Sequence, residues 1–301
     1  MSSIKTVALA GATGALGPTV LQTLVDDGFE VTVLSRDANK VQSSLPAKAK
    51  AVTVDYTSLE SLKAALKGQD AVVSTLSAEA GASQNLLIDA AAAVGVQRFL
   101  PSEFGCDYAT TSHIAVFQDK VKARKYVEEV AQKSSLTYTY ISNGGFLDWG
   151  LNVGFLLSLN APSVEVWDGG DVVFSTTTVA GIAKAVSGVL KHPAETKNRA
   201  LFISEANVTQ NKILELAKKE TGKEWKVEQV SGKQRAQEAS DELKKDKPDM
   251  TFVVHSLIKH AIFGDPELHG AFLPDELDNE LLGLKTLGEE EVSKIVKAAI
   301  K

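Results

Sequence analysis

Gly11, Gly14 and Gly17 stand three residues apart near the start of the chain, and Lys120 is a lone charge on an apolar helical stripe. These two features carry the chemistry that the residue types allow. Residues 4–10 read Ile-Lys-Thr-Val-Ala-Leu-Ala, a short strand, and Val20, Leu21, Leu24 and Val25 recur at helical spacing beyond the glycines. A strand, a glycine turn and a helix in that order make a cradle for a dinucleotide's phosphates. Gly11 lets the chain reverse tightly. Gly14 has no Cβ, so the backbone can approach a pyrophosphate. Gly17 lets the helix pack close to the strand. The helix N-terminus adds free N–H groups and a partial positive charge. Gly11, Thr13, Gly14, Ala15, Leu16 and Gly17 are therefore the expected phosphate contacts. The spacing is G-x-x-G-x-x-G rather than G-x-G-x-x-G, and a glycine turn can also be purely structural.

Lys120 offers acid–base chemistry. On a helix predicted over 116–133, it shares a stripe with Val116, Ala123, Val127 and Val130. Gln118, Lys122, Lys125 and Glu129 form a separate polar stripe. Burial disfavours an ammonium and lowers its pKa, which suits proton transfer. A lysine stem can also lie along apolar surface with its head in water. The stripe alone leaves both readings open. Cys106 is read as a packing residue, since nothing beside it in sequence would activate a thiolate.

The elements that must position these groups alternate regularly. Strand-like runs at 31–34, 51–54, 71–75, 98–100 and 136–141 follow the first strand, with helical runs at 58–66, 83–94 and 116–133. Six strands alternating with helices predict a Rossmann-type, doubly wound parallel α/β sheet. The alternation weakens after residue 143. Residues 164–167 and 172–174, flanking Asp168-Gly169-Gly170-Asp171, predict a hairpin. Residues 179–190 read as a helix, and 201–203 as one more strand of the main sheet. The charged stretch 232–249 reads as an exposed helix, because its signs are mixed. The expected division is a Rossmann domain over 1–143 with a return segment at 176–204. Residues 144–175 and 205–301 form a smaller, mostly helical substrate-binding part.

The end of the second strand discriminates between nicotinamide cofactors. NAD enzymes place an acidic residue there, whereas NADP enzymes use arginine against the 2′-phosphate. Here Ser35 takes the acidic position, Arg36 follows, and Lys40 comes one helical turn later. That pattern predicts NADPH. A solvated loop arginine is the alternative, and Asp37 aimed at the ribose would relax the preference. Asp55, ending the third strand, could accept from an adenine amine. Ser74, Thr75 and Leu76 end the fourth strand beside the phosphates.

At 301 residues, with 44% hydrophobic and 23% charged residues, the chain has the composition of a soluble globular protein. A net charge of −6 argues against a nucleic-acid partner. One cysteine allows no intrachain disulfide or multi-cysteine metal site, and fits a reducing compartment. No metal is expected. The first strand starts too early for a signal peptide, and no apolar run is long enough to span a membrane, so the default location is cytoplasmic. A monomer or a homodimer is expected.

Short-chain dehydrogenases commonly act through Tyr-x-x-x-Lys, which is absent. Glu60, Ser112, Val130, Ser142 and Gly144 stand four residues after the five tyrosines. The glycine turn, Arg36, Arg98-Phe99-Leu100-Pro101-Ser102-Glu103-Phe104-Gly105 and Phe117-Gln118-Asp119-Lys120 together resemble another group: the isoflavone reductase-like atypical short-chain dehydrogenases, within the NmrA-like superfamily. The resemblance covers the first half well and the second half in outline. It implies an NADPH-dependent reductase of a small aromatic or enone-type metabolite, with the active-site lysine at Lys120. Phe104 and Asn143 are then expected near the cofactor, and Phe104, His113, Gly145, Phe146 and Phe155 near substrate, with Asn143, Leu156 and Phe272 as further lining. Two departures touch that region. The loop from Gly105 to Phe117 is shorter than in the plant members, and Gly144-Gly145 replaces other residues. The plant substrates therefore do not transfer. The same resemblance admits a cofactor-sensing regulator without catalysis, or a quinone reductase.

Overall fold

The computed structural model describes residues 3–77, 81–108, 111–112, 114–264 and 270–301, with residues 81 and 82 placed by backbone alone. The first half runs β1 Thr6–Ala10, α1 Gly17–Asp26, β2 Glu30–Ser35, α2 Ala38–Gln42, β3 Ala49–Thr53, α3 Leu59–Leu66, β4 Ala71–Ser74, α4 Gly81–Ala93, β5 Arg98–Leu100, α5 Gln118–Gln132 and β6 Thr137–Ser142. The second half adds β7 Gly145–Phe146, α6 Leu147–Asn152, β8 Ser163–Trp167, β9 Phe174–Thr177, α7 Val179–Lys191, β10 Arg199–Phe202, β11 Ala206–Val208, α8 Gln210–Thr221, β12 Lys226–Val230, α9 Gly232–Glu242, α10 Met250–Lys259, α11 Asn279–Leu282 and α12 Glu289–Ala298. No helix among the described residues is long and apolar enough to cross a membrane.

Seven parallel strands form the main sheet in the order β10-β6-β5-β4-β1-β2-β3. This is the Rossmann order with β10 added at one edge, as predicted for 201–203. Its two faces are covered by separate cores, and strand alternation decides which residue joins which. Val7 and Leu9 of β1 pack with α1 and α7 on one side, while Ala8 and Ala10 pack with α3, α4 and α5 on the other. The strand order reverses between β1 and β4, so a crevice opens at their C-terminal ends.

The predicted hairpin at 164–174 does not form. Its turn exists, with Asp168, Gly169 and Gly170 all at positive φ, but the flanking strands join different sheets. β8 pairs in parallel with β12, and β9 pairs with β11 and β7. Each finds a longer-range partner, and Trp167 and Phe174 are buried in a second core. The charged stretch is an exposed helix only as far as Glu242, where α9 ends.

A fourth cluster joins the halves. Tyr108, Ile114 and Phe117 from the segment before α5 pack with Ala239 of α9 and Val253 and Leu257 of α10. The C-terminal helices thus cover the start of the lysine-bearing helix.

Arg98 opens the signature stretch, yet its role here is structural. It is fully buried. Its Nε donates to Thr137 Oγ1 at 2.9 Å, its Nη1 to Thr139 and Thr196 Oγ1 at 2.8 Å, and its Nη2 to the Pro193 carbonyl at 2.6 Å. The side chain ties β5 and β6 to the segment leading into β10. Burial pushes its pKa down to about 10, so it stays charged at neutral pH. Arg98→Met should cost roughly 3 kcal/mol of stability, since several charged hydrogen bonds are lost and buried hydroxyls are left unsatisfied. Urea unfolding followed by tryptophan fluorescence measures this. A midpoint equal to wild type would show that Arg98 is not a structural tie.

Candidate functional site

The crevice at the switch point is a cleft of about 750 Å³. Gly11, Thr13 and Gly14 line one end, Ser35, Arg36 and Lys40 another, and Thr75 and Leu76 the wall between. Two lining residues carried no clear signal in the sequence: Ser83 on α4, and Tyr56, whose hydroxyl donates to the Leu34 carbonyl at 3.1 Å.

The three glycines have unequal causes. Gly11 lies at φ +85°, and a Cβ there would sit 2.6 Å from the Thr75 carbonyl carbon. A Cβ on Gly17 would lie 2.1 Å from the Gly11 oxygen, so this glycine packs against the turn rather than the strand. Gly14 differs: the nearest atom to an added Cβ is the Gly11 oxygen, at an ordinary 3.5 Å. Nothing in the protein demands a glycine at 14. Its bare face is presented to the cleft, which fits a phosphate group approaching the backbone there.

Asp37 is resolved by its neighbours. Its Oδ1 accepts from Asn39 N at 3.2 Å and caps α2, while Oδ2 meets Lys40 Nζ at 3.6 Å. The Ser35 hydroxyl bonds the Asp37 backbone. Arg36 is exposed at the rim. Asp37 lines the cleft beside Arg36 and Lys40, with its carboxylate engaged as the helix cap.

Other expected cofactor residues lie elsewhere. Asp55 does not line the cleft. Its carboxylate accepts from Thr57 N and Oγ1 at 2.8 and 2.7 Å, and these bonds hold its pKa below the usual range. Leu16 is buried in the core beside α1, and Ala15 is exposed outside the cleft lining. Ser74 and Asn143 are fully buried, and the Ser74 Oγ and Asn143 Oδ1 have no partner among the described residues. Both sit at the C-terminal ends of sheet strands.

Lys120 faces inward. Its Nζ donates to the Tyr108 hydroxyl at 2.9 Å and lies 5.0 Å from the centre of that ring. The residue as a whole is half-buried. Burial pushes its pKa below the ordinary lysine value of 10.5, against the opposing pull of Glu103. Tyr108 is buried, packs edge-on to Phe117 at 5.0 Å, and has its pKa raised by burial. Glu103 is also buried. Desolvation raises its pKa to about 7, although Arg124 Nε stands 3.5 Å away. Burial pushes the Cys106 thiol up to about 11, in keeping with packing rather than nucleophilic chemistry. Tyr108, Glu103 and Arg124 were not singled out from the sequence. Glu103 lay inside the signature, but nothing in one dimension showed it meeting α5.

The substrate residues separate. Phe104 and Phe146 pack against the main core, and Phe146 meets the exposed Trp149 edge-on at 6.0 Å. Gly145 is buried, with an added Cβ 3.2 Å from Leu156, and Gly144 at φ +63° has β9 directly against it. The Gly144-Gly145 departure is therefore explained by β7 packing on β9. Gly145, Leu156 and Phe272 are buried, the last packed edge-on to Phe202. Phe155 belongs to the second core, against His255. His113 lies outside the described residues.

The chain is 35% identical over 246 residues to the oxidoreductase aprR of Aspergillus flavus, covering 79% of this chain and 82% of that protein. It is 30% identical over 292 residues to the oxidoreductase poxI of Penicillium oxalicum, covering 94% and 91%. Its fold matches the binary complex of leucoanthocyanidin reductase and NADPH from Vitis vinifera with a TM-score of 0.80 at 22% identity, covering 97% of this chain and 99% of that one. The model of the NmrA-like family matches residues 3–255, and the chain belongs to that family.

Proposed function

We propose that the chain is an NADPH-dependent reductase of a small aromatic or enone-type molecule, with Lys120 as the general acid. The observation that carries this reading is the desolvated Lys120 ammonium beneath the C-terminal helices. The named activity of the two fungal relatives and the NADPH of the similar plant reductase support it.

Gly11, Thr13 and Gly14, with the N-terminus of α1, would hold the pyrophosphate. Arg36 and Lys40 would pair with the 2′-phosphate, while Tyr56 walls the adenine side. Thr75 and Leu76 line the path toward the nicotinamide. When bound, NADPH supplies the hydride. Lys120 holds a proton at Nζ for the oxygen on which negative charge develops. The apolar packing of Tyr108, Phe117 and α10 excludes water from that proton.

Three outcomes test this. First, Arg36→Ala should weaken NADPH binding roughly ten- to a hundredfold and leave NADH binding nearly unchanged, as measured by titration calorimetry. Equal wild-type affinities for the two cofactors would contradict the assignment. Second, Gly14→Val should fold normally, because the protein leaves that face open, yet lose cofactor binding. Tight NADPH binding by the folded variant would remove the turn from the site. Third, Lys120→Met should lower the rate of NADPH oxidation by roughly 10²–10⁴ across a panel of enones, quinones and aromatic ethers. In the wild type the ammonium is the active form, so activity should fall as pH rises through the lowered Lys120 pKa, beginning below 10.5. Tight NADPH binding without turnover on the whole panel would instead favour a cofactor-sensing regulator.

A further inference from the structure

We propose that Tyr108 and Glu103 are positioning residues for Lys120: the phenol fixes where its ammonium points, and the buried carboxylate keeps that ammonium charged. The inference rests on the reductase reading, since it assigns partners to the same lysine.

The phenol comes first. Lys120 and Tyr108 are twelve residues apart, and their 2.9 Å bond depends on the segment before α5 folding back over that helix. Tyr108 has little freedom. Phe117 packs against its ring, and Gly105 makes room for its hydroxyl, since a Cβ at 105 would lie 3.0 Å from that oxygen. Accepting from Lys120 uses a lone pair of the phenol oxygen. One ammonium hydrogen is thereby anchored, and the other two are left with a defined direction.

Glu103 is harder to explain as a structural group. Both carboxylate oxygens are buried without a hydrogen-bond partner among the described residues. The side chain is 1% exposed. An acid left in that state costs stability, unless its charge acts on something nearby. α5 presents two cations to it, one helical turn apart: Arg124, by the 3.5 Å ion pair, and Lys120, by its field. Arg124 is itself held flat over the Tyr140 ring at 4.2 Å, with Asp107 at 3.9 Å. The remaining charged or titratable neighbours are Glu128, which accepts from the Tyr140 hydroxyl, and Cys106. Glu128 and Asp107 disfavour ionisation of Glu103, while Arg124 and Lys120 favour it. Ionised Glu103 raises the Lys120 pKa against burial. Desolvation raises the Glu103 pKa, and it is the ionised form, favoured as pH rises, that supports the ammonium.

The test reads Lys120 directly and needs no substrate. Protein carrying carbon-13-labelled lysine is titrated by NMR, with the Lys120 signal assigned by its loss in Lys120→Arg. In Glu103→Gln the Lys120 midpoint should fall by about one pH unit, because an opposing charge has been removed. In Tyr108→Phe, close to isosteric, it should fall by less, and turnover should drop roughly tenfold on whichever panel compound the wild type reduces. NADPH affinity should be unchanged in both. Should Glu103→Gln fail to fold, the wild type decides: its Lys120 signal should titrate in two steps, one of them near pH 7 as Glu103 ionises. A Lys120 midpoint that is the same in both variants, or a single-step wild-type titration, overturns the proposal. A purely structural role would lower the melting temperature and leave the midpoint in place. Absence of turnover with the expected titrations would remove the reductase reading and leave the Glu103–Tyr108–Lys120 coupling standing.

Discussion

The contact on which the site depends is the approach of the first glycine turn to the end of β4. Parallel strands β1 and β4 lie side by side, and their continuations leave in opposite directions. The turn after β1 must pass beneath Thr75 with no room for a side chain at Gly11. Thr75 closes the contact by bonding the Ala10 carbonyl through both its backbone N–H and its hydroxyl. α1 then starts so close to the turn that Gly17 meets the Gly11 oxygen. Compressed on these two sides, the turn has one open face, at Gly14. The cleft exists because the backbone is packed tightly behind it.

The second constraint is electrostatic. A lysine on the inner side of α5 would normally extend to water, since burying an ammonium is expensive. Two features keep it inside. The packing of α9 and α10 on Tyr108 and Phe117 covers the helix start. The Tyr108 hydroxyl then supplies the hydrogen-bond acceptor that solvent would have supplied. Cys106 packs against the same cluster, and burial raises the pKa of both Cys106 and Glu103. The C-terminal helices thus cover the segment that carries the lysine's hydrogen-bond partner.

Arg98 shows how a motif residue can be buried in a structural role. It begins the stretch by which the chain resembles its relatives, but its guanidinium spends its donors on three threonine hydroxyls and a carbonyl. Four positions beyond Arg98, the Ser102 hydroxyl donates to the Leu76 carbonyl, and Ser102 N donates to Gln84. The first half of the signature braces the sheet, and its second half begins with Glu103, which meets Arg124 of α5.

Local pattern determined much of this protein by itself. Period-two and helical spacing specify the alternating elements, and with them the parallel sheet and its switch point, because each run must bury one face. The strand, glycines and helix in succession mark the cleft, since a tight turn is a property of neighbouring residues. The stripe around Lys120 marks an anomalous charge for the same reason. What faces that charge was decided only in three dimensions. Asp37 caps α2 through Asn39 N and meets Lys40 while still lining the cleft. β8 and β9 abandon the short hairpin for distant strands that complete the second core. Tyr108 meets Lys120, and Glu103 meets Arg124 one helical turn on, because the segment before α5 folds back onto that helix. Contacts between residues far apart in the chain leave no periodic trace, so the pairing of the lysine with its partners belongs to the tertiary structure alone.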